Sequence, residues 1–186
     1  MIKLKNSSFE ADSPGAGILI TDWINLGSEF ETPPDIQPGF FQVNIGPQEG
    51  RTYLGLVVRS SNTWEGVGQQ LKSSLQKDSA YSFSLWMTRS IVYRSPLKNN
   101  QSEVINFDAP TILKIWGYNT KTKQEEVLAE SQPVSHSQWT KYEFVLQPSL
   151  ADYDELDLMA YYAPGTEKTN GNLLIDNCSA IVKISK

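Results

Sequence analysis

Hydrophobic and polar residues alternate along much of this chain with a period of two, the period that sends successive side chains to opposite sides of a β-strand. Runs of this kind cover 52–59, 66–71, 80–90, 112–118, 140–147, 155–163 and 173–184, which predicts seven strands. Between them stand clusters of Gly, Pro, Asn, Asp and Ser at 47–50, 77–79, 148–154 and 164–172, residues that turn a chain. Short strands without long helices between them predict an all-β sandwich or barrel, formed as a single domain over residues 1–186. Two segments break the rhythm. Residues 11–46 are rich in Pro and Gly around a lone Trp23, and 91–110 reads as a long polar connection, the kind of loop that in a compact domain is usually functional or disordered.

The same alternation assigns faces. Tyr81, Phe83, Leu85 and Met87 form one apolar series, which leaves Ser82, Ser84, Trp86 and Thr88 on the other side of that strand. Leu113 and Ile115 read inward, with Lys114, Trp116 and Tyr118 opposite. Leu156, Leu158 and Ala160 also read inward, so Asp157, Met159 and Tyr161 point out; Leu54, Leu56 and Val58 likewise leave Arg59 outside. Phe144 joins the expected core. Gln69, between Val67 and Leu71, is expected to be a buried amide that satisfies backbone groups.

Composition narrows the function. The chain carries 5 Trp, 8 Tyr and 7 Phe, in keeping with β-structure that packs or displays rings. Its net charge of −5 disfavours nucleic acid as a partner, because phosphate neutralisation needs a basic surface. Cys178 stands alone, which excludes an intrachain disulfide, and no Cys/His cluster offers a zinc site. No stretch approaches the ~20 apolar residues of a membrane span, and the opening MIKLKNSSFE has no apolar signal segment. An extracellular or cell-envelope address would therefore be written outside these residues, in a larger multidomain protein.

Three features in order carry a family likeness: Asn6-Ser-Ser-Phe-Glu10 near the start, Gln69-x-Leu71 followed by Tyr81-Ser-Phe83-Ser84, and Leu173-Leu-Ile-Asp176-Asn177 near the end. Together they resemble the galactose-binding-like jelly roll of the carbohydrate-binding modules that accompany glycoside hydrolases. The sequence is also similar to a module of large Bacteroidetes envelope proteins. The first resemblance implies a two-sheet antiparallel jelly-roll sandwich and a structural calcium, with Glu10 and Asp176 at the family's acidic positions. Those carboxylates sit in the first and last strands, which a jelly roll commonly pairs, and turn carbonyls near Glu49, Arg51 or Thr52 would complete an oxygen shell. The alternative is that the two cap turns or pair with a Lys.

The outward aromatics Trp86, Trp116 and Tyr161 are the candidate stacking surface for a sugar ring, with Arg59, Lys114 and Asp157 as hydrogen-bonding neighbours. If the register were wrong by one, these residues would be core instead. Trp23 and Trp139 are expected to be structural, and Trp64 either structural or exposed. A catalytic set is missing: His136 has only Ser135 and Ser137 beside it, and neighbours in extended chain point apart. Asp152, Asp154, Glu155 and Asp157 cluster in sequence without an acid and nucleophile at the spacing glycoside hydrolysis requires. The expectation is a non-enzymatic module that binds a poly- or oligosaccharide on one sheet face, with any metal remote from that face. The alternative is a structural or protein-interaction domain of a cell-envelope protein, contacting its neighbour through the aromatic face and residues 91–110.

Overall fold

The structure, a computed structural model, describes residues 1–97 and 100–185. In chain order its strands are β1 (Ile24–Asn25), β2 (Asp35–Gln37), β3 (Tyr53–Arg59), β4 (Thr63–Trp64), β5 (Gly66–Leu75), β6 (Ala80–Thr88) and β7 (Arg94–Leu97). They continue with β8 (Asn100–Asn106), β9 (Thr111–Tyr118), β10 (Glu125–Glu130), β11 (Thr140–Leu146), β12 (Tyr153–Tyr162), β13 (Gly171–Asp176) and β14 (Val182–Ile184). Among the described residues the only helical turn is Phe40–Gln42. Five strands in the order β1-β5-β12-β9-β10 make a front sheet. The back sheet has seven, β11-β6-β13-β3-β2 with β14 on β6 and β4 on β3. Every strand pairing within these sheets is antiparallel, and the chain passes back and forth between them. The protein is an all-β jelly-roll sandwich.

Alternation drives the packing. Phe83, Leu85, Leu113, Ile115, Phe144 and Leu158 all lie in the core between the sheets, and burying such side chains contributes roughly 1.5–3 kcal/mol apiece relative to exposure. The outward partners read from the sequence are outward here too: Trp86 and Trp116 are half-buried while their neighbours Leu85 and Ile115 are fully buried. Gln69 is buried; its Oε1 accepts the Lys5 N–H at 2.7 Å and its Nε2 donates to the carbonyls of Lys5 and Asp22, both at 3.0 Å. That amide ties the N-terminal segment to β5 and leaves none of its own polar atoms orphaned.

The back sheet has a second apolar layer on its outer side. Tyr53, Val57 and Leu174 point outward from β3 and β13 and pack with Val43, Tyr93 and Phe107. The last two flank the hairpin of β7 and β8. The segment 91–110, expected as a polar loop, forms a strand pair at 94–97 and 100–106 that roofs the back sheet, residues 98 and 99 lying outside the described residues. Its buried residues, Tyr93 and Phe107, stand at the hairpin's ends rather than along it, so no alternating run announces them. Trp139 belongs to this layer as well: its ring lies 5.2 Å from that of Tyr53, edge to face, and Nε1 donates to the Gly46 carbonyl at 2.8 Å. Trp23 plugs the sandwich, buried against Phe9 at 5.0 Å between ring centroids.

Candidate functional site

The outer face of the front sheet gathers four of the residues expected to meet a ligand. In the antiparallel register of β9 and β12, Trp116 stands opposite Asp157 and Lys114 opposite Met159. Tyr161, one step further out on the same side of β12, brings its ring 6.5 Å from Trp116 and 4.9 Å from Trp64. Lys114 Nζ lies over the Tyr161 ring at 4.9 Å and reaches Glu130 at 3.0 Å. Trp64, Tyr161 and Trp116 thus form a row of rings along the sheet, partly open to solvent.

Beside that row lie groups whose hydrogen-bonding capacity is unused. Neither Trp116 Nε1, which faces the Tyr161 hydroxyl, nor Asp157 Oδ1, on the carboxyl beside Glu155, completes a hydrogen bond of good geometry, and both atoms are buried. A buried polar atom left unpaired costs about 1–3 kcal/mol. On the directly paired Trp116 and Asp157, such a donor and acceptor are open to partners from solvent or a bound molecule. Burial, reinforced by the neighbouring Glu155, pushes the Asp157 carboxyl up to about 7; burial also raises Glu155, with Asp154 adding to it. Two such carboxyls on one strand face resist carrying two negative charges together. Gly68 makes room for them, since a Cβ there would stand 2.6 Å from Asp157 Oδ1.

Trp86 and Arg59 do not belong to this face. Both project from the back sheet, Trp86 from β6 opposite Asp176 on β13, Arg59 from the end of β3. Trp86 and Trp116, expected to share one platform, lie on opposite sides of the sandwich. Alternation places a side chain inside or outside its own sheet, but it does not say which sheet the strand joins. Arg59 is engaged by Glu65, with Glu31 at 3.8 Å. Glu155, read from the sequence only as one of a cluster of acidic residues without a catalytic pair, stands two positions from Asp157 on the same side of β12 and is buried with it. His136 contacts Tyr142, its Nε2 lying 2.9 Å from the hydroxyl, and does not meet a serine.

Glu10 and Asp176 meet at the 48–51 turn. Asp176 Oδ2 accepts the N–H groups of Gln48 and Glu49 at 2.9 and 3.0 Å, and Oδ1 accepts that of Asn177 at 2.7 Å. Both Glu10 oxygens accept the Arg51 N–H, at 3.0 and 3.1 Å. Burial raises the Asp176 carboxyl to about 6 against the pull of those N–H groups, and the charge of Glu10 adds to the rise. Two carboxylates that converge with spare lone pairs suit a hard cation. The N–H groups they hold here also make them caps for the turn. Among the described residues no group of three or more His, Cys, Asp and Glu side chains is placed to hold a metal ion, and no helix is long and apolar enough to cross a membrane.

No protein-family model matches the chain, and no curated protein matches it. Solved structures do resemble it. A cyclase from Fischerella sp. TAU superposes with a TM-score of 0.61 at 12% identity, over 100% of this chain and 98% of that one. A Stig cyclase from the same organism, in complex with (3Z)-3-(1-methyl-2-pyrrolidinylidene)-3H-indole, gives 0.61 at 13% identity, again over 100% and 98%. The CBM22-1 xylan-binding domain from Paenibacillus barcinonensis gives 0.51 at 13% identity, over 95% of this chain and 99% of that domain. The chain shares its fold with these proteins.

Proposed function

We propose that this chain is a non-catalytic carbohydrate-binding module that takes a glycan across the outer face of the front sheet. The observation that carries the reading is the row of rings at Trp64, Tyr161 and Trp116 beside an unpartnered indole N–H and an unpartnered carboxyl oxygen. A pyranose offers both things this surface lacks: an apolar ring face to stack on the indole, and hydroxyls that accept from Trp116 Nε1 and donate to Asp157. Lys114 would add a further donor at the edge. Trp86 and Arg59 fall outside this platform. Affinity on such an open face is modest, micromolar to millimolar, because the bound chain loses freedom and water contacts, and neighbouring modules of a larger exported protein would raise it by avidity. Calcium, held by Glu10 and Asp176, would serve as a structural ion at the back sheet, away from the glycan. Calorimetry against soluble plant and microbial polysaccharides, alongside a reducing-sugar assay, tests the proposal. Binding that Trp116→Ala weakens without any release of sugar supports it; absence of binding to every glycan rejects it.

A second reading rests on Asp157. A carboxyl held near pH 7 beside aromatic rings keeps a proton to donate at neutral pH, and the fold is shared along its whole length with a cyclase. In that reading the front face protonates an aromatic substrate rather than storing a glycan. Turnover of any ligand by the wild-type chain, lost in Asp157→Asn with binding retained, would favour it.

A further inference from the structure

The outer side of the back sheet holds a cavity of about 540 Å³ between the edge of β3 and the segments that roof it. That is within the ~300–1,000 Å³ of small-molecule sites. Its floor is Val57 and Arg59 of β3 and Asp35 of β2; Tyr93, Phe41 and Phe107 form one wall, and Phe30 stands exposed at the rim. Phe41 and Tyr93 stack face to face at 5.8 Å. Gly55 allows the Tyr93 ring to lie this close to β3, because a Cβ there would be 3.2 Å from the Tyr93 hydroxyl oxygen.

The charges in this cavity do not balance. Glu29, Glu31, Asp35 and Glu65 line it, and Arg59 is the one cation among the lining residues. Arg59 is spent on Glu65, which is buried, and on Glu31 at 3.8 Å. Asp35 is buried and accepts the Tyr93 hydroxyl, but among the described residues it has no ion pair. Burial pushes Glu65 to about 8 and Asp35 to about 6 against the pull of Arg59. Wherever the Glu65 proton resides, Glu29, Glu31 and Asp35 still outnumber the single guanidinium. Arg59 Nη1 is buried without a hydrogen-bond partner, so the same space also lacks an acceptor.

We propose that this cavity is a second ligand site, separate from the front face, which binds a small organic ammonium cation with an apolar or aromatic body. The ammonium would sit beside Asp35, which has no ion pair among the described residues, and within reach of Glu31, which shares its guanidinium with Glu65. The body would lie against Phe41, Tyr93 and Phe107, whose ring faces attract cations as well as apolar surface. An anion is disfavoured by three carboxylates, and a neutral aromatic would use the rings while leaving Asp35 without a counter-ion.

A set of three probes of nearly equal shape tests this: 2-phenylethylamine, 2-phenylethanol and phenylacetate, titrated calorimetrically into the full chain at pH 7.5. The amine is expected to bind at least tenfold more tightly than the alcohol, with phenylacetate weakest. Asp35→Asn should lower amine affinity about tenfold and leave the alcohol unchanged, and Trp116→Ala should change neither. Should Asp35→Asn fail to fold, Glu31→Gln at the cavity edge provides the same test with an expected loss of several-fold. Phenylacetate binding as tightly as the amine, amine affinity unmoved by both carboxylate variants, or no amine binding at millimolar concentration would each overturn the assignment. Glycan binding by the front face is measured separately, and its failure would leave this result standing.

Discussion

The two outer faces of the sandwich are made from the same alternating strands and end up in opposite conditions. On the back sheet, β3 and β13 send Tyr53, Val57 and Leu174 outward, and a second apolar layer that includes Val43, Tyr93 and Phe107 closes over them. On the front sheet, β9 and β12 send out Lys114, Trp116, Asp157 and Tyr161, and the rings stay partly open. A strand covered on both sides loses its alternation, as in Gly171–Asp176, buried at every position with Leu173, Leu174 and Ile175 in succession. A strand covered on one side keeps its alternation, as Thr111–Tyr118 does from Leu113 onward. The front accordingly presents an open surface, the face proposed above for the glycan, while the back encloses a cavity.

The comparison can be broken first by stability. Leu174→Ala removes a fully buried side chain from the roofed face and should cost about 2–5 kcal/mol in urea denaturation. Trp116→Ala on the open face should cost about 1 kcal/mol, the centre of the range for point mutants. Equal losses would mean that the front face is structural cover as well.

Calcium provides the next largest effect. If Glu10 and Asp176 hold the ion, calcium at a hundredfold excess over its Kd should stabilise the chain by about 2.7 kcal/mol. EDTA should reverse the gain and Glu10→Gln should remove it. A melting temperature indifferent to both calcium and EDTA would leave the pair as turn caps alone.

The pH dependence divides the faces. Asp35 and Asp176 at the back are raised to about 6 and Asp157 at the front to about 7, each from 3.8 and chiefly by burial. These folded values lie above the unfolded ones, so the native state binds more protons and is favoured most fully below about pH 4. That advantage is lost as pH rises through 6 to 7. In calcium-free buffer stability should fall by about 2–5 kcal/mol between pH 5 and pH 8. Asp157→Asn should remove the part of the fall centred near pH 7 and leave the part near pH 6. A thermal-melt series across that range reads both.

The smallest effects are in recognition. Trp116→Ala should weaken glycan binding by about 0.5–1.5 kcal/mol, the range that ring pairing adds beyond burial, and salt should matter little. Trp86→Ala, on the other sheet, should leave it unchanged. A loss with Trp86→Ala equal to that with Trp116→Ala would move the glycan off the front face.

Much of this architecture was legible in the residues. The longer strands β3, β5, β6, β9, β11, β12 and β13, their inward faces and the core positions of Phe83, Ile115 and Leu158 follow from a period-two pattern, and Gln69 follows from an amide placed between apolar neighbours; β1, β2 and β4 are too short to show a period, and the run expected over 173–184 divides into β13 and β14. β10 escaped because a bulge between Val127 and Ala129 breaks its alternation. The β7–β8 hairpin escaped because its buried residues, Tyr93 and Phe107, flank it. The convergence of Glu10 with Asp176 was implied by a family resemblance rather than by the pattern itself.

By itself, then, the sequence determined what is local: strand, turn, and which side of its own strand each residue takes, since these depend on the backbone period and on neighbours a few positions away. Only the tertiary structure decided which strands share a sheet. It therefore separated Trp86 from Trp116, brought Trp64 to Tyr161 across the chain, and set Asp35, Arg59 and Glu65 around one cavity from different segments. The physical reason is that strand pairing and the roofing of a sheet are long-range contacts. The cost of ordering the chain to make them is repaid only by the assembled core, and no window of the sequence contains both partners.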